Sequence, residues 1–480
     1  MDMQRNFSLL TDLYEITMMN GFYLNDRKDE VAIFDVFFRQ NQLITYSVAA
    51  GLEQVVDYLT TLHFEDDDIE YLKSLNIFDQ SFLDYLKTFK FTGDVYAVPE
   101  GTFVFPGEPI LTVKANMLEA QLVETAILNM INHQTLIASK AAKICYAAQG
   151  DNVMEFGLRR AQGPDAGIYG ARAAIIAGCS STSNVLTGKM FGVPVSGTHA
   201  HSWVMNFPSE LEAFRAYAAI YPQATLLLVD TYDVLNSGVP NAITVFKELA
   251  AKGYRPLGIR LDSGDLAYLS KKARKMLDDA GFPDAKICAS GDLDEYLVTS
   301  LKIQGAKIDS WGIGTKLITS ADMPALGGVY KLAAVIEDGK IIPKIKISET
   351  RAKITNPGFK TIYRVYDSGG MAVADIIALR GEVFDEAKPL TICHPVDRWK
   401  KLSFAPGEYS LKEIVTKVIE NGKLVGKLPT LKETIAYCNE EKNTFWDEYK
   451  RIDKPHIYKV DLSDGLYELK TSMINEIRKV

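Results

Sequence analysis

Lys286–Leu317, KICASGDLDEYLVTSLKIQGAKIDSWGIGTKL, holds one full period of this chain's fold. The apolar run Lys286–Ser290 passes into a polar turn, SGDLD; a helical stretch follows, and a second apolar run, Trp311–Gly314, carries glycines within it. Strand alternating with helix implies a parallel sheet buried on both faces. Outward from here the texture repeats across residues 151–330, with further strands at Val153–Phe156, Val193–Ser196, Ala224–Asp230 and Gly258–Asp262. Polar or glycine-rich tails end five of the six: GLRRAQGPD, GTHAHS, DTYD, DSGD and SGDLD. Chemistry gathered at successive strand ends predicts an irregular (β/α) barrel, with an open doubly wound sheet as the rival.

The flanks read differently. Residues 1–150 form an N-terminal α+β domain, with strands near Ala32–Phe38 and within Asp94–Val113 broken by Gly and Pro. A linking helix opens at Asn116, with Glu119 as its capping-box partner. Residues 331–480 form a smaller C-terminal region packed on the first domain: two hairpins, Val329–Ile347 and Tyr363–Leu379, then a charged helical tail.

The 480 residues are 47% hydrophobic and carry a formal charge of −8, enough for a large core and more than one domain, and unsuited to a phosphate-backbone partner. No apolar run reaches a membrane-spanning length, and MDMQRNFSLL lacks the order of a secretory signal. Five scattered cysteines without a CxxC give neither a disulfide framework nor a zinc knuckle, so the expected location is the cytoplasm.

Four clusters carry chemistry. Glu155–Gly167, EFGLRRAQGPDAG, sets Arg159 and Arg160 directly after a buried strand, and the guanidinium's fixed fork of donors suits an anion clamp or, more plainly, a surface salt bridge. In Gly258–Ala267, GIRLDSGDLA, Arg260 sits on a strand and Asp262 and Asp265 on the turn after it. Those carboxylates can take sugar hydroxyls or share magnesium; alternatively they cap the next helix, Asp265 more readily than Asp262. The tandem turns ASGDLDE and SWGIGTKL suit a phosphate, since glycine admits close approach of the backbone. Val193–Phe207, VPVSGTHAHSWVMNF, delivers His199 and His201 to one strand end, where imidazole can act as base, nucleophile or metal ligand. A zinc hydrolase needs further histidines in the later strands, and none stands there.

Taken in order, EFGLRRAQGPD, SSTSNVLTGK, PVSGTHAHSW, LLLVDTYD, GIRLDSGD, SGDLDE and GIGT resemble the nicotinate phosphoribosyltransferase family, as does the N-terminal LLTDLYEITMMNGFY. The resemblance runs from Leu9 to about Tyr330. It implies transfer of a phosphoribosyl group from 5-phosphoribosyl 1-pyrophosphate to the nitrogen of nicotinate, with Mg2+ and with ATP as co-substrate. His201 becomes the phosphohistidine and Asp262 its catalytic companion, while His199 stays outside the catalytic set. Phe156 and the Tyr14 of a second subunit sandwich the pyridine, Arg159 holds its carboxylate, and Arg260 lies near the ring or ribose. Asp262 and Asp265 meet ribose hydroxyls or magnesium; Ser290, Gly291, Asp292, Gly312, Gly314 and Thr315 cradle the 5-phosphate. A homodimer sharing its sites follows.

The relatives that use nicotinamide can employ an acid to accept from the amide, whereas Cys179–Asn184 is CSSTSN, with hydroxyls and no acid. A catalytically silent phosphosugar-binding barrel is the other reading, and the joint presence of His201, Asp262 and Asp265 argues for an enzyme.

Overall fold

The computed structural model describes residues 6–39, 45–350, 353–395, 397 and 399–478. It divides into two compact units, one of Ile137–Pro324 and the other of Met1–Leu136 with Ala325–Val480.

Ile137–Pro324 contains six parallel strands: β1 (Asn152–Glu155), β2 (Ser181–Thr182), β3 (Leu226–Leu228), β4 (Gly258–Leu261), β5 (Lys286–Gly291) and β6 (Ser310–Ile313). Their order is β2-β1-β6-β5-β4-β3, so the first and last long strands pair with each other, Val153 opposite Trp311. Ile259, Leu261, Ile287, Ala289, Trp311 and Ile313 are buried, and helices such as α1 (Pro164–Ile176) and α2 (Leu266–Asp279) make the crossovers. The strand expected at Val193–Ser196 is reduced to a single bridge, Val195 to Thr182, because Pro194 has no N–H to give a ladder. β2 was absent from the sequence reading; two polar residues, Ser181 and Thr182, carry no apolar signal. Among the described residues no ladder joins Val195 to β3, so what the hydrogen bonds display is a parallel α/β sheet with β2 and β3 as its end strands.

The other unit is built on largely antiparallel sheets, with one parallel pair, Ala372–Leu379 beside Lys459–Leu462. Val31–Phe38 is an inner strand of a seven-stranded one, between Leu111–Asn116 and Gly328–Glu337. Asn116 caps Met117–Leu122 as expected, its Oδ1 accepting from the Glu119 amide at 2.9 Å; a new helix, Glu124–Ala147, then crosses the boundary between the units. Both expected hairpins are present, Gly328–Glu337 with Lys340–Pro343 and Lys360–Asp367 with Ala372–Leu379. The helical tail needs correction: short strands occupy much of residues 390–424, and Lys459–Leu462 joins a six-stranded sheet before the last helix. Strands of four or five residues with charged outer faces leave too short a period to separate from a polar helix.

Candidate active site

β1, β4, β5 and β6 end around one cavity of about 550 Å³. Phe156, Arg159, Arg260, Asp262, Ser290, Gly291, Asp292, Gly312, Gly314 and Thr315, all singled out from sequence, line it.

Phe156 follows β1 and continues its ladder by donating its amide to the Ile313 carbonyl at 2.8 Å. Its ring lies over Gly312: a Cβ there would stand 2.6 Å from two ring carbons, so only glycine lets the aromatic face settle on this strand. Gly291, at φ +114°, brings its backbone against Asp262, where a Cβ would meet the Asp262 carbonyl oxygen at 2.8 Å. After Phe156 the chain turns through Leu158–Arg160, which leaves Arg159 and Arg160 exposed at the cavity wall.

Glu155, fully buried at the end of β1, braces this turn by accepting from the Gly157 amide and, at 2.6 Å, from the Thr182 hydroxyl. Burial raises its carboxyl above the usual range despite those bonds. Across the cavity Arg260 donates through Nη1 to Thr198 Oγ1, while its buried Nε has no hydrogen-bond partner among the described residues.

The histidines divide sharply. His199 is only 8% exposed; its Nε2 accepts from the Leu228 amide at 3.3 Å and its ring meets Tyr217 edge-on. Burial, with the Arg260 charge nearby, lowers it to about 4, so it is a neutral structural ring although it lines the cavity. His201 opens the helix His201–Met205, with 41% of its side chain exposed. It is not itself among the lining residues; Asp230 ties it to them.

Asp230 went unassigned in the sequence reading, although LLLVDTYD places it at a strand end. Its side chain is 2% exposed; Oδ1 lies 3.2 Å from His201 Nε2, and Oδ2 accepts from the Asp262 amide at 3.1 Å and the Ser263 hydroxyl at 2.6 Å. Asp262 in turn accepts from Ser290 Oγ at 2.5 Å. Glu155, Thr198 and Ser183 were likewise missed. Asp265 stands apart: its Oδ1 caps α2 by accepting from the Tyr268 amide at 3.0 Å, and it does not line the cavity. Tyr14, on the helix Leu13–Leu24 of the other unit, is 46% exposed.

Among the described residues no three His, Cys, Asp or Glu side chains gather as a metal cluster, and no helix is long and apolar enough to cross a membrane.

Family models for nicotinate phosphoribosyltransferase match almost the whole chain: the N-terminal domain over residues 9–132, the central family region over 152–364 and the C-terminal domain over 359–470. The nicotinate phosphoribosyltransferase of Bacillus subtilis is 47% identical over 475 residues, 98% of this chain and 96% of that protein. Its human counterpart is 32% identical, over 97% and 96%. A crystal structure of human nicotinic acid phosphoribosyltransferase superposes with a TM-score of 0.85 at 30% identity, covering 96% of this chain and 99% of that one. A nicotinate-nucleotide pyrophosphorylase from Pyrococcus furiosus shares the fold, with a TM-score of 0.70 at 23% identity over 91% and 95% of the two chains. The chain belongs to the nicotinate phosphoribosyltransferase family of NAD-salvage enzymes.

Proposed function

We propose that the central cavity joins nicotinate to 5-phosphoribosyl 1-pyrophosphate, releasing nicotinate mononucleotide and pyrophosphate. The observation that carries this reading is the meeting of an aromatic ring, three arginines, the carboxylates of Asp262 and Asp292 and glycine-bearing turns around one volume. Phe156 offers a flat surface to the pyridine, and Arg159 a charge-assisted partner for its carboxylate. The glycines of β5 and β6 let the backbone approach the 5-phosphate, and Arg260, on the cavity wall, stands near the ribose or ring. As the pyrophosphate leaves, positive charge builds at the anomeric carbon; holding the nitrogen and that carbon in line is the main contribution of such a site.

ATP is the co-substrate in this reading, and His201 its acceptor. With Asp230 accepting from Nε2–H, the lone pair of the neutral ring sits on Nδ1, which attacks the γ-phosphorus as the bond to ADP breaks. The carboxylate that fixes this tautomer also holds the Asp262 turn, which gives phosphorylation a short mechanical route to the ribosyl site.

Asp262 fits magnesium as a single protein carboxylate, and the phosphates of the sugar donor would complete the oxygen shell. Bound there, the ion neutralises charge on the departing pyrophosphate. Asp265, committed to its cap, serves the turn's geometry first.

The cyclic order of the strands supports an irregular barrel closed by β1 and β6 and interrupted beside Val195. Leu10, Leu13, Tyr14 and Met18 are all more than a third exposed around the first helix, which supports a homodimer in which Tyr14 reaches the partner's pyridine site. A cytoplasmic location suits the five free cysteines.

His201→Ala tests the reading through product formation from nicotinate and nicotinamide, each with and without ATP. Loss of ATP stimulation with nicotinate preferred is expected; unchanged coupling refutes the role of His201, and preference for nicotinamide refutes the substrate.

A further inference from the structure

Glu155 stands behind the wall of the central cavity and does not line it. On β1 it shares a strand face with the buried Val153, two residues earlier, where a second apolar side chain would be the less costly occupant. Glu155 and Thr182 are both 0% exposed, and they pair directly across β1 and β2.

The polar contacts of this pair lead to two loops at the cavity. Glu155 Oε1 accepts from the Gly157 amide, in the turn between Phe156 and Arg159, and Oε2 accepts from the Thr182 hydroxyl at 2.6 Å. Thr182 Oγ1 in turn accepts from the Asn184 amide at 3.0 Å, which leaves its own proton for Glu155. The main chain runs the same way, the Ser183 amide donating to the Glu155 carbonyl at 2.9 Å. Asn184 closes the loop from the far side: its Nδ2 donates to the Gly167 carbonyl of α1 at 3.2 Å, and its Oδ1 caps the helix Val185–Phe191. One carboxyl thus joins two stretches of the wall, from which Phe156, Leu158, Arg159, Arg160 and Ser183 line the cavity. Behind the turn space is tight, since a Cβ on Gly157 would run into Ile318 and stand 2.8 Å from Glu155 Oε1.

We propose that Glu155 and Thr182 are positioning residues for substrate selection: they hold the Phe156–Arg160 turn against Ser183, so that the Arg159 guanidinium meets a planar acid in one geometry and favours nicotinate over its neutral amide. This rests on the reading in which Phe156 and Arg159 receive nicotinate. A guanidinium fork rewards a carboxylate fully only when distance and plane both match. An amide, with one acceptor oxygen and no charge, gains less from that match and loses less without it. Looseness in the turn therefore costs the acid more than the amide.

Thr182→Val removes the hydroxyl at nearly constant volume, and Thr182→Ser keeps it. Glu155→Gln changes the other end: its NH2 meets either the Gly157 N–H or the Thr182 hydroxyl, so one buried donor loses its acceptor. Steady-state kinetics of the full chain vary nicotinate, nicotinamide and the ribosyl donor in turn, with Arg159→Ala beside them, and thermal unfolding records stability. The KM for nicotinate is expected to rise about tenfold in Thr182→Val and in Glu155→Gln, and that for the ribosyl donor by less than about threefold. The ratio of kcat/KM for nicotinate to that for nicotinamide should fall about tenfold. Thr182→Ser should bring both quantities back to within about threefold of the wild type, and the double variant Glu155→Gln/Thr182→Val should add little to either single change. Should Thr182→Val fail to fold, Glu155→Gln carries the comparison. Equal rises in both KM values, or a lowered Tm with the nicotinate KM unmoved, would make the pair a brace for the fold alone and overturn the proposal. A nicotinate KM raised in Arg159→Ala but in neither other variant would sink only the positioning role; one unmoved in Arg159→Ala would sink the underlying reading and the proposal with it.

Discussion

His201 and Asp230 share a hydrogen bond, Nε2 to Oδ1 at 3.2 Å, and the second oxygen of Asp230 holds the amide of Asp262. One carboxylate, almost without exposure, therefore touches both the histidine that faces solvent and the turn that faces the central cavity.

Asp230→Asn should break this arrangement with little change in shape. An amide NH2 facing Nε2 favours the other tautomer and moves the proton onto Nδ1, the proposed nucleophile. ATP-stimulated turnover is expected to drop by about 100- to 10,000-fold, the range for an imidazole held in the wrong tautomer, with a smaller loss in the reaction without ATP. Equal losses in the two reactions would assign Asp230 to the Asp262 turn alone.

Arg159→Ala should raise the KM for nicotinate by about 10- to 100-fold, the worth of a charge-assisted hydrogen bond. The KM for the ribosyl donor should move by less than about threefold. Steady-state kinetics with each substrate varied in turn make the comparison, and equal rises for both would move Arg159 to a phosphate.

Gly312→Ala sets a methyl 2.6 Å from the ring of Phe156. The ring must leave its place over β6, and nicotinate affinity is expected to weaken about tenfold through lost stacking. Phe156→Leu should show the same loss, and the double variant little more than either alone. Simple addition of the two effects would separate the glycine from the ring.

His199 supplies a pH dependence. Folded, it is lowered to about 4 from an ordinary 6.5, so the unfolded chain takes up its proton first as the pH falls. Its stabilising contribution is whole above 6.5 and lost by about 4, on the order of 3 kcal/mol at most. Replacing it with Gln, which can still accept from the Leu228 amide, should flatten the fall in Tm between those two pH values. An unchanged slope would mean that other groups set the acid stability.

Much of the central unit was legible because its strands end in residues that do little for a core. GIRLDSGD, SGDLDE and GIGT each carry or follow a buried apolar run, and Arg260, Asp262, Gly291, Asp292, Gly312 and Gly314 from them do line one cavity. Asp230 was overlooked for want of a pattern: a lone acid in DTYD looks like a turn residue until its neighbours in space are known. Asp265 shows the reverse. It sits in a motif rich in chemistry and spends its carboxylate on a backbone amide three residues along, a use that sequence allows but cannot rank. The C-terminal strands escaped because their charged outer faces imitate a polar helix.

Sequence alone determined the family, the parallel character of the central sheet and most of the residues that line its cavity, since all three depend on local pattern and ordered motifs. Tertiary structure decided the link from His201 to the Asp262 amide through Asp230 and the burial that leaves His199 a neutral spacer. Each depends on distances between segments far apart in the chain, and on the low dielectric of a packed interior, which no linear spacing records.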